Sequence, residues 1–205
     1  KWLRFKNIDQ VIREIDFYIE KYNAEYFYFI AETFLAMPAE YKKRFYGAYK
    51  KYGKPFWFNT RPETIMPDDI KELEDVGCHR ISIGIESGNE EFRKSMLNRR
   101  YSNEDVLRAI RIILKSKIQL SVNNMIGFPD ETREMVFDTI ELNRKFRGRS
   151  HSVSIFQPFR GTELYDYCAA KGYLDLKRRY AESFATPVLS MPSLSQSEIK
   201  GLYRT

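Results

Sequence analysis

Five polar residues in this 205-residue chain stand at the ends of extended apolar runs: Glu32, Asn59, Arg61, Glu86 and Asn123. The segment "RISIGIESGNEEF" shows the pattern most plainly. Ile81, Ile83 and Ile85 alternate with Ser82, Gly84 and Glu86. A strand here puts three isoleucines on one face and a small polar set, ending on a carboxylate, on the other. By the same parity Tyr26, Tyr28, Ile30 and Glu32 share a face, as do Trp57, Asn59 and Arg61, and Gln119, Ser121, Asn123, Met125 and Gly127. Such groups are costly to bury unless they meet a ligand or one another. Two carboxylates and two amides suit an ammonium and several hydroxyls. Arg61 suits a carboxylate, which a guanidinium grips with two bonds. Helix N-termini after the strands add donors for an anionic end. A zwitterionic amino acid joined to a sugar fits that inventory. The plainer alternatives are that strand ends are where solvent begins, and that Glu86 caps the helix behind it.

The elements that must position these residues alternate along the chain. "NIDQVIREIDFYIEKY" has helical apolar spacing, and "EYFYFIAE" follows as an aromatic strand. Pro38 opens a helix that runs to Gly53, "PFWFNTR" is the next strand, and "PDDIKELEDVG" is a short helix ending on glycine. After the Ile-rich strand come a helical turn near Glu90–Met96 and the helix "SNEDVLRAIRIILKS". "IQLSVNNMIG", "ETREMVFDTIELNRKF", "HSVSIFQP" and a helix from Thr162 to Lys171 complete the alternation. Beyond Gly172 the pattern reads as an irregular linker with Pro187 and Pro192, before a capping box at Ser195–Glu198. Strand ends near 32, 61, 86, 127 and 158 follow one another at the spacing of β/α units. The expected fold class is therefore α/β, a partial (β/α) TIM-type barrel with parallel strands, since a full eightfold barrel takes about 250 residues. A doubly wound open sheet is the competing architecture.

Composition narrows the classes further. Hydrophobic residues make up 43% and charged residues 30%, which excludes a disordered chain and an integral membrane protein. No signal peptide opens the sequence, so a cytoplasmic location is expected. The net charge is +6, with basic residues densest in "YKKRF", "RKFRGRS" and "KRRY". These are read as solvated helix faces and loops ahead of a nucleic-acid surface, because no interleaved aromatic–basic pattern accompanies them. Cys78 and Cys168 stand apart, in no metal-ligand spacing, and are expected to be buried thiols, Cys78 just before its strand and Cys168 in a late helix.

"IGIESGNEEF", "NNMIGFPDETREM" and "FQPFRGTELYD", in this order, resemble the core of radical S-adenosylmethionine (SAM) enzymes. The likeness is strongest to the branch that often carries a cobalamin-binding domain, that of the anaerobic magnesium-protoporphyrin ester cyclase. It runs from about Lys6 to Ser197. It implies SAM as cofactor. Glu32, in "AETF", falls where the family holds the SAM amino group, although Ala31 replaces the first residue of the family's acidic pair. Glu86 and Ser87 fall on the segment that meets the ribose and the methionine end. Asn123 falls on the next SAM-facing strand, and Gln157 and Pro158 near the adenine edge. Arg99 or Arg100 would take the SAM carboxylate, and Arg61 would face SAM or substrate.

The resemblance also implies a [4Fe–4S] cluster on a C-x-x-x-C-x-x-C loop, and this chain has no such run, so it offers no metal ligands. The expectation is a radical SAM core domain over 1–205, truncated at both ends, with the first strand and cluster loop missing upstream and a C-terminal extension starting at 186. The intact enzyme would cleave SAM reductively for radical (oxidoreductase) or methyl-transfer chemistry on a small-molecule substrate. It would draw electrons from a protein such as flavodoxin or ferredoxin, with a cobalamin domain an option upstream. The fragment alone would be inactive and would use no membrane. Two rival readings stay open: a cluster-independent lyase or hydrolase with Glu32 and Glu86 as acid and base, and a degenerate, non-catalytic binding module.

Overall fold

Asn7 starts the first helix, its side-chain oxygen accepting from the Asp9 N–H at 2.8 Å, and Asn23 ends it in the left-handed conformation. Between them lies α1 (Ile8–Tyr22). The computed structural model describes residues 5–177 and 183–204. In chain order the remaining elements are β1 (Phe27–Phe29), α2 (Ala39–Tyr49), β2 (Phe56–Thr60), α3 (Pro67–Asp75), β3 (Cys78–Glu86), α4 (Glu90–Ser95), α5 (Asn103–Ile113), β4 (Gln119–Ile126), α6 (Arg133–Arg144), β5 (Ser150–Ile155), α7 (Glu163–Ala170) and α8 (Gln196–Leu202). The strands form one five-stranded parallel sheet in the order β1-β2-β3-β4-β5. Each strand lies beside the next one made. A doubly wound sheet reverses its order at a switch point, and this one does not.

Three readings of the chain need correction. β1 has three residues rather than a run reaching Glu32, and among the described residues it pairs with β2 alone, Phe27 to Phe56 and Phe29 to Phe58. β5 stops at Ile155 rather than Pro158, with one further bond to β4 from the Phe156 N–H to the Ile126 carbonyl at 2.8 Å. Cys78 is the first residue of β3 rather than a residue before it. The basic run from 177 to 180 lies, apart from Lys177, outside the described residues.

Contacts divide the chain into two compact units. The first comprises the described residues up to Gly84, with Glu104–Ser121 and Gly148–Ser150. The two-residue period of its strands sorts aromatics to one face. Phe29, Phe56 and Phe58 pack with Phe34, Phe45 and Tyr49, the Phe34 and Phe58 rings stacked at 4.2 Å and Tyr49 edge-on to Phe56 at 4.8 Å. Ile81 and Ile83 of β3 are fully buried, as the alternation requires. The alternate residues form a polar aromatic ladder: Tyr28 stacks on Trp57 at 4.5 Å, and the Trp57 indole N–H donates to Ser82 Oγ at 2.8 Å. Two of the three basic residues of "YKKRF" are paired in place, Lys42 with Asp69 at 2.7 Å and Arg44 with Asp9 at 3.1 Å.

The second unit comprises Ile85–Asn103, Val122–Arg147 and the described residues from His151 onward. Its core joins Phe92, Ile126, Phe128, Val136, Ile155 and Phe156 to Leu189, Met191, Leu194 and Ile199. The stretch expected as a linker is thus part of the core. Its buried side chains hang on irregular backbone, which leaves no periodicity to read. Ser195 and Glu198 form the capping box of α8, as the sequence predicts.

Candidate functional site

In the second unit the chain leaves β3 under tension. Glu86, the last strand residue, has φ +67°, a region a glutamate enters at a cost on the order of 1 kcal/mol. The bonds around it hold it there. The Ser87 N–H donates to the Ile85 carbonyl at 2.9 Å, the Tyr101 hydroxyl donates to the same carbonyl at 3.1 Å, and Arg93 donates to the Ser87 carbonyl at 2.5 Å. Ser87 and Gly88 are buried. The φ of Gly88 is not positive, so a left-handed turn is not what calls for glycine here. Its reason is a close approach: a Cβ there would lie 2.3 Å from the Asp138 carbonyl oxygen of α6. The Gly88 N–H donates to Thr139 Oγ1 at 2.7 Å, and the Asn89 side chain donates to Asp138 at 2.7 Å. Asn89, not Glu86, caps α4, accepting from the Phe92 N–H. The capping alternative for Glu86 therefore falls.

Freed from capping, the Glu86 carboxylate meets Arg99, Oε1 to Nη2 at 3.2 Å, with both side chains about a quarter exposed or less. Of the two candidate arginines Arg99 is the one brought to Glu86, while Arg100 is exposed. A lone cation or lone anion entering this pair would leave one of the two charges without its partner, which is costly in a half-buried setting. A zwitterion exchanges with both at once and keeps the charge balanced.

Further along the same unit, β4 ends at Ile126 and the chain turns at Gly127, φ +78°. The turn is clasped by Glu131, whose Oε2 accepts from the Gly127 N–H at 2.6 Å and the Phe128 N–H at 3.3 Å. Glu131 is fully buried, and burial outweighs those two donors to push its carboxyl up to about 8. Asp130, φ +59°, accepts from the Tyr167 and Tyr173 hydroxyls. Burial alone would raise its carboxyl, but these phenols and Lys171 bring it below the usual range. Asn123 of β4 accepts from Ser152 Oγ at 2.8 Å. Gln157 is buried beside the equally buried Pro158 and donates to the Thr186 carbonyl at 2.8 Å; among the described residues its own carbonyl oxygen meets no donor.

In the first unit Glu32 follows β1 and is exposed. Asn59 of β2 donates to the Tyr28 hydroxyl at 2.6 Å, and Arg61, just past β2, lies 3.9 Å from Glu63. Each of the three stands at or just past the C-terminal end of its strand. The sequence reading missed Arg93, Tyr101, Asp130 and Glu131. The last two lie in the quoted "GFPDET", where a proline-bearing turn with two carboxylates was the available signal.

Residues 1–142 match the Radical SAM superfamily. The chain belongs to the radical SAM superfamily. An uncharacterized methyltransferase of Pyrococcus horikoshii is 26% identical over 146 residues, covering 71% of this chain and 32% of that protein. The tRNA-2-methylthio-N(6)-dimethylallyladenosine synthase of Clostridium tetani is 30% identical over 114 residues, 54% of this chain and 25% of that protein. The chain thus spans about a third or less of these relatives. Among solved structures, the radical SAM methyltransferase TsrM from Kitasatospora setae superposes with a TM-score of 0.69 at 16% identity, covering 80% of this chain and 32% of that one. Coproporphyrinogen III oxidase from Escherichia coli gives 0.66 at 13% identity over 98% and 46%. These likenesses support the partial (β/α) barrel fold of radical SAM proteins.

An iron–sulfur cluster does not fit the residues described. Cys78 and Cys168, the chain's two cysteines, are both buried, and burial holds the Cys78 thiol far above its usual range and pushes Cys168 up to about 11. Cluster ligands are thiolates. No group of three or more His, Cys, Asp or Glu among the described residues is disposed to hold a metal.

Proposed function

We propose that the chain is the SAM-binding core of an enzyme, and that the Glu86–Arg99 pair receives the aminoacyl end of SAM. The observation that carries this reading is the charge-balanced pair itself, held at the strained end of β3. Arg99 takes the carboxylate, as the fork geometry of arginine favours, and Glu86 takes the ammonium. The open acceptor of Gln157, in the same unit, suits an exocyclic amine such as that of adenine. Ser87, Asn123 and Pro158 belong to this reading as segment residues, and Arg100 does not. Glu86 takes the amino-group role that the resemblance assigns to Glu32, and Asn59 and Arg61 remain binding candidates at the C-terminal end of β2. SAM, when bound, supplies the adenosyl or methyl group on which the superfamily's chemistry draws. An iron–sulfur cluster belongs to parts of the protein beyond the residues described. The names of the relatives favour methyl or methylthio transfer for the whole protein. A cobalamin domain, a flavodoxin- or ferredoxin-type reductant and a cytoplasmic setting complete the proposal.

The test is calorimetric titration of the full-length protein with S-adenosylhomocysteine and with 5′-methylthioadenosine, which lacks the aminoacyl group. Wild type should prefer the former. Glu86→Gln and Arg99→Met should each weaken it by about tenfold, equivalent to ~1.4 kcal/mol, and leave methylthioadenosine unaffected. A wild type with no such preference would overturn the zwitterion clasp, and one that binds neither ligand would overturn the SAM reading.

A further inference from the structure

Arg93 is the largest fully buried side chain among the described residues. It lies on α4, where neither the sequence nor any role given above explains a buried guanidinium. Its donors reach three acceptors on two segments, one on either side of α4: the Ser87 carbonyl at 2.5 Å, the Tyr101 carbonyl at 2.8 Å and Asn103 Oδ1 at 3.0 Å. The guanidinium carbon sits 4.7 Å from the centre of the Tyr101 ring. The Tyr101 hydroxyl reaches back to the Ile85 carbonyl at 3.1 Å, and the Arg93 carbonyl accepts from the Arg99 N–H at 3.0 Å.

These bonds have a common geometry. Ile85 and Ser87 are the two neighbours of Glu86. Arg99 is bonded through its own N–H, and Tyr101 stands two residues beyond it. Arg93 and Tyr101 therefore tie down the backbone on both sides of Glu86 and on the Arg99 side of the pair. A residue with φ +67° persists only where its surroundings over-determine it, and at Glu86 the bond to the following carbonyl comes from Arg93. A planar fork of five donors serves three acceptors in this way; a lysine ammonium, a single point on a flexible stem, does not.

We infer that Arg93, backed by Tyr101, is a positioning residue that sets the spacing of the Glu86–Arg99 pair and so fixes how tightly the protein holds the aminoacyl end of its ligand. The inference rests on the proposed zwitterion site and goes beyond it, because Arg93 itself touches no ligand in this scheme. Without the fork, Glu86 relaxes toward extended backbone and its carboxylate leaves Arg99. A ligand with an aminoacyl group then loses its grip, while a ligand without one is held as before. A merely structural arginine would weaken both ligands together.

The experiment uses the full-length protein and the same two ligands. Arg93→Lys keeps the charge and loses the fork. Tyr101→Phe keeps the ring and loses one hydroxyl, so it decides the matter where Arg93→Lys fails to fold. Each should cut the preference for S-adenosylhomocysteine over methylthioadenosine by about tenfold for Arg93→Lys and a few-fold for Tyr101→Phe, with methylthioadenosine affinity within ~2-fold of wild type. Combined with Glu86→Gln, Arg93→Lys should add little, because both disable one clasp. Equal loss of both ligands, or an unchanged preference, overturns the positioning role while the clasp reading stands. A wild type without any preference overturns both.

Discussion

Gly88 lies flat against the backbone of Asp138: a Cβ there would stand 2.3 Å from the Asp138 carbonyl oxygen and 2.5 Å from its carbonyl carbon. The neighbour is helix backbone and cannot swing aside as a side chain would. Gly88→Ala must push α6 away from the loop that follows Glu86, breaking the Gly88–Thr139 bond. Destabilisation should reach at least the upper part of the overpacking range, about 3 kcal/mol, read as a shifted urea midpoint. Gly161→Ala is the control for space alone: no atom lies within 4 Å of its added carbon, so only its left-handed φ is charged. A Gly88→Ala variant no less stable than that control would show the contact to be soft.

Glu131 sets a pH dependence. Its folded-state value of about 8 lies above its ordinary 4.5. Between the two, the folded protein keeps a proton that the unfolded chain has released. The stability from this group is therefore complete below about 4.5 and declines as pH rises, until it is lost through about 8, at up to ~1.4 kcal/mol per pH unit. Glu131→Gln keeps an acceptor for Gly127 and Phe128 and removes the titration. Urea midpoints from about pH 5 to pH 9 should slope downward for wild type and run flatter for the variant. Parallel slopes would refute the assignment.

The two thiols should be inert in the folded protein. Burial holds Cys78 well above the ordinary thiol range and, with Asp130 adding to it, raises Cys168 to about 11. Only thiolate reacts with an alkylating agent. Iodoacetamide near pH 8 should add no label to the native chain and two after unfolding, read by intact mass. Stoichiometric labelling of native protein would place one of these cysteines at the surface.

What the sequence made legible follows from what leaves a period behind. The alternation of Ile81, Ile83 and Ile85 predicted the buried face of β3, and the same parity delivered Glu86 to its end. Ser195 and Glu198 announced α8 because a capping box is local chemistry. Arg93 was not legible, since it sits among the charged residues of "EEFRKS" and nothing local says that its acceptors are three carbonyl and amide oxygens from other segments. The need for glycine at position 88 was not legible either, because a close approach to α6 depends on a helix about fifty residues further on. Leu189, Met191 and Leu194 escaped notice because irregular backbone buries side chains without a rhythm. The family resemblance survived all of this, because it rests on short segments at strand ends.

The strand order β1-β2-β3-β4-β5 bears on how the chain is made. A ribosome releases residues at about 5–20 per second, so the next strand follows within seconds. Each strand that emerges finds its partner already outside, waiting with an open edge. No strand has to be held unpaired until a distant one is synthesised, as a sheet with a reversed order demands. Vectorial synthesis thus suits this topology, and the growing edge at any moment belongs to the strand most recently laid down. Pausing translation after β3 would leave a nascent chain in which β1, β2 and β3 are already in their final order, which limited proteolysis of stalled ribosome complexes would reveal as a protected fragment containing all three.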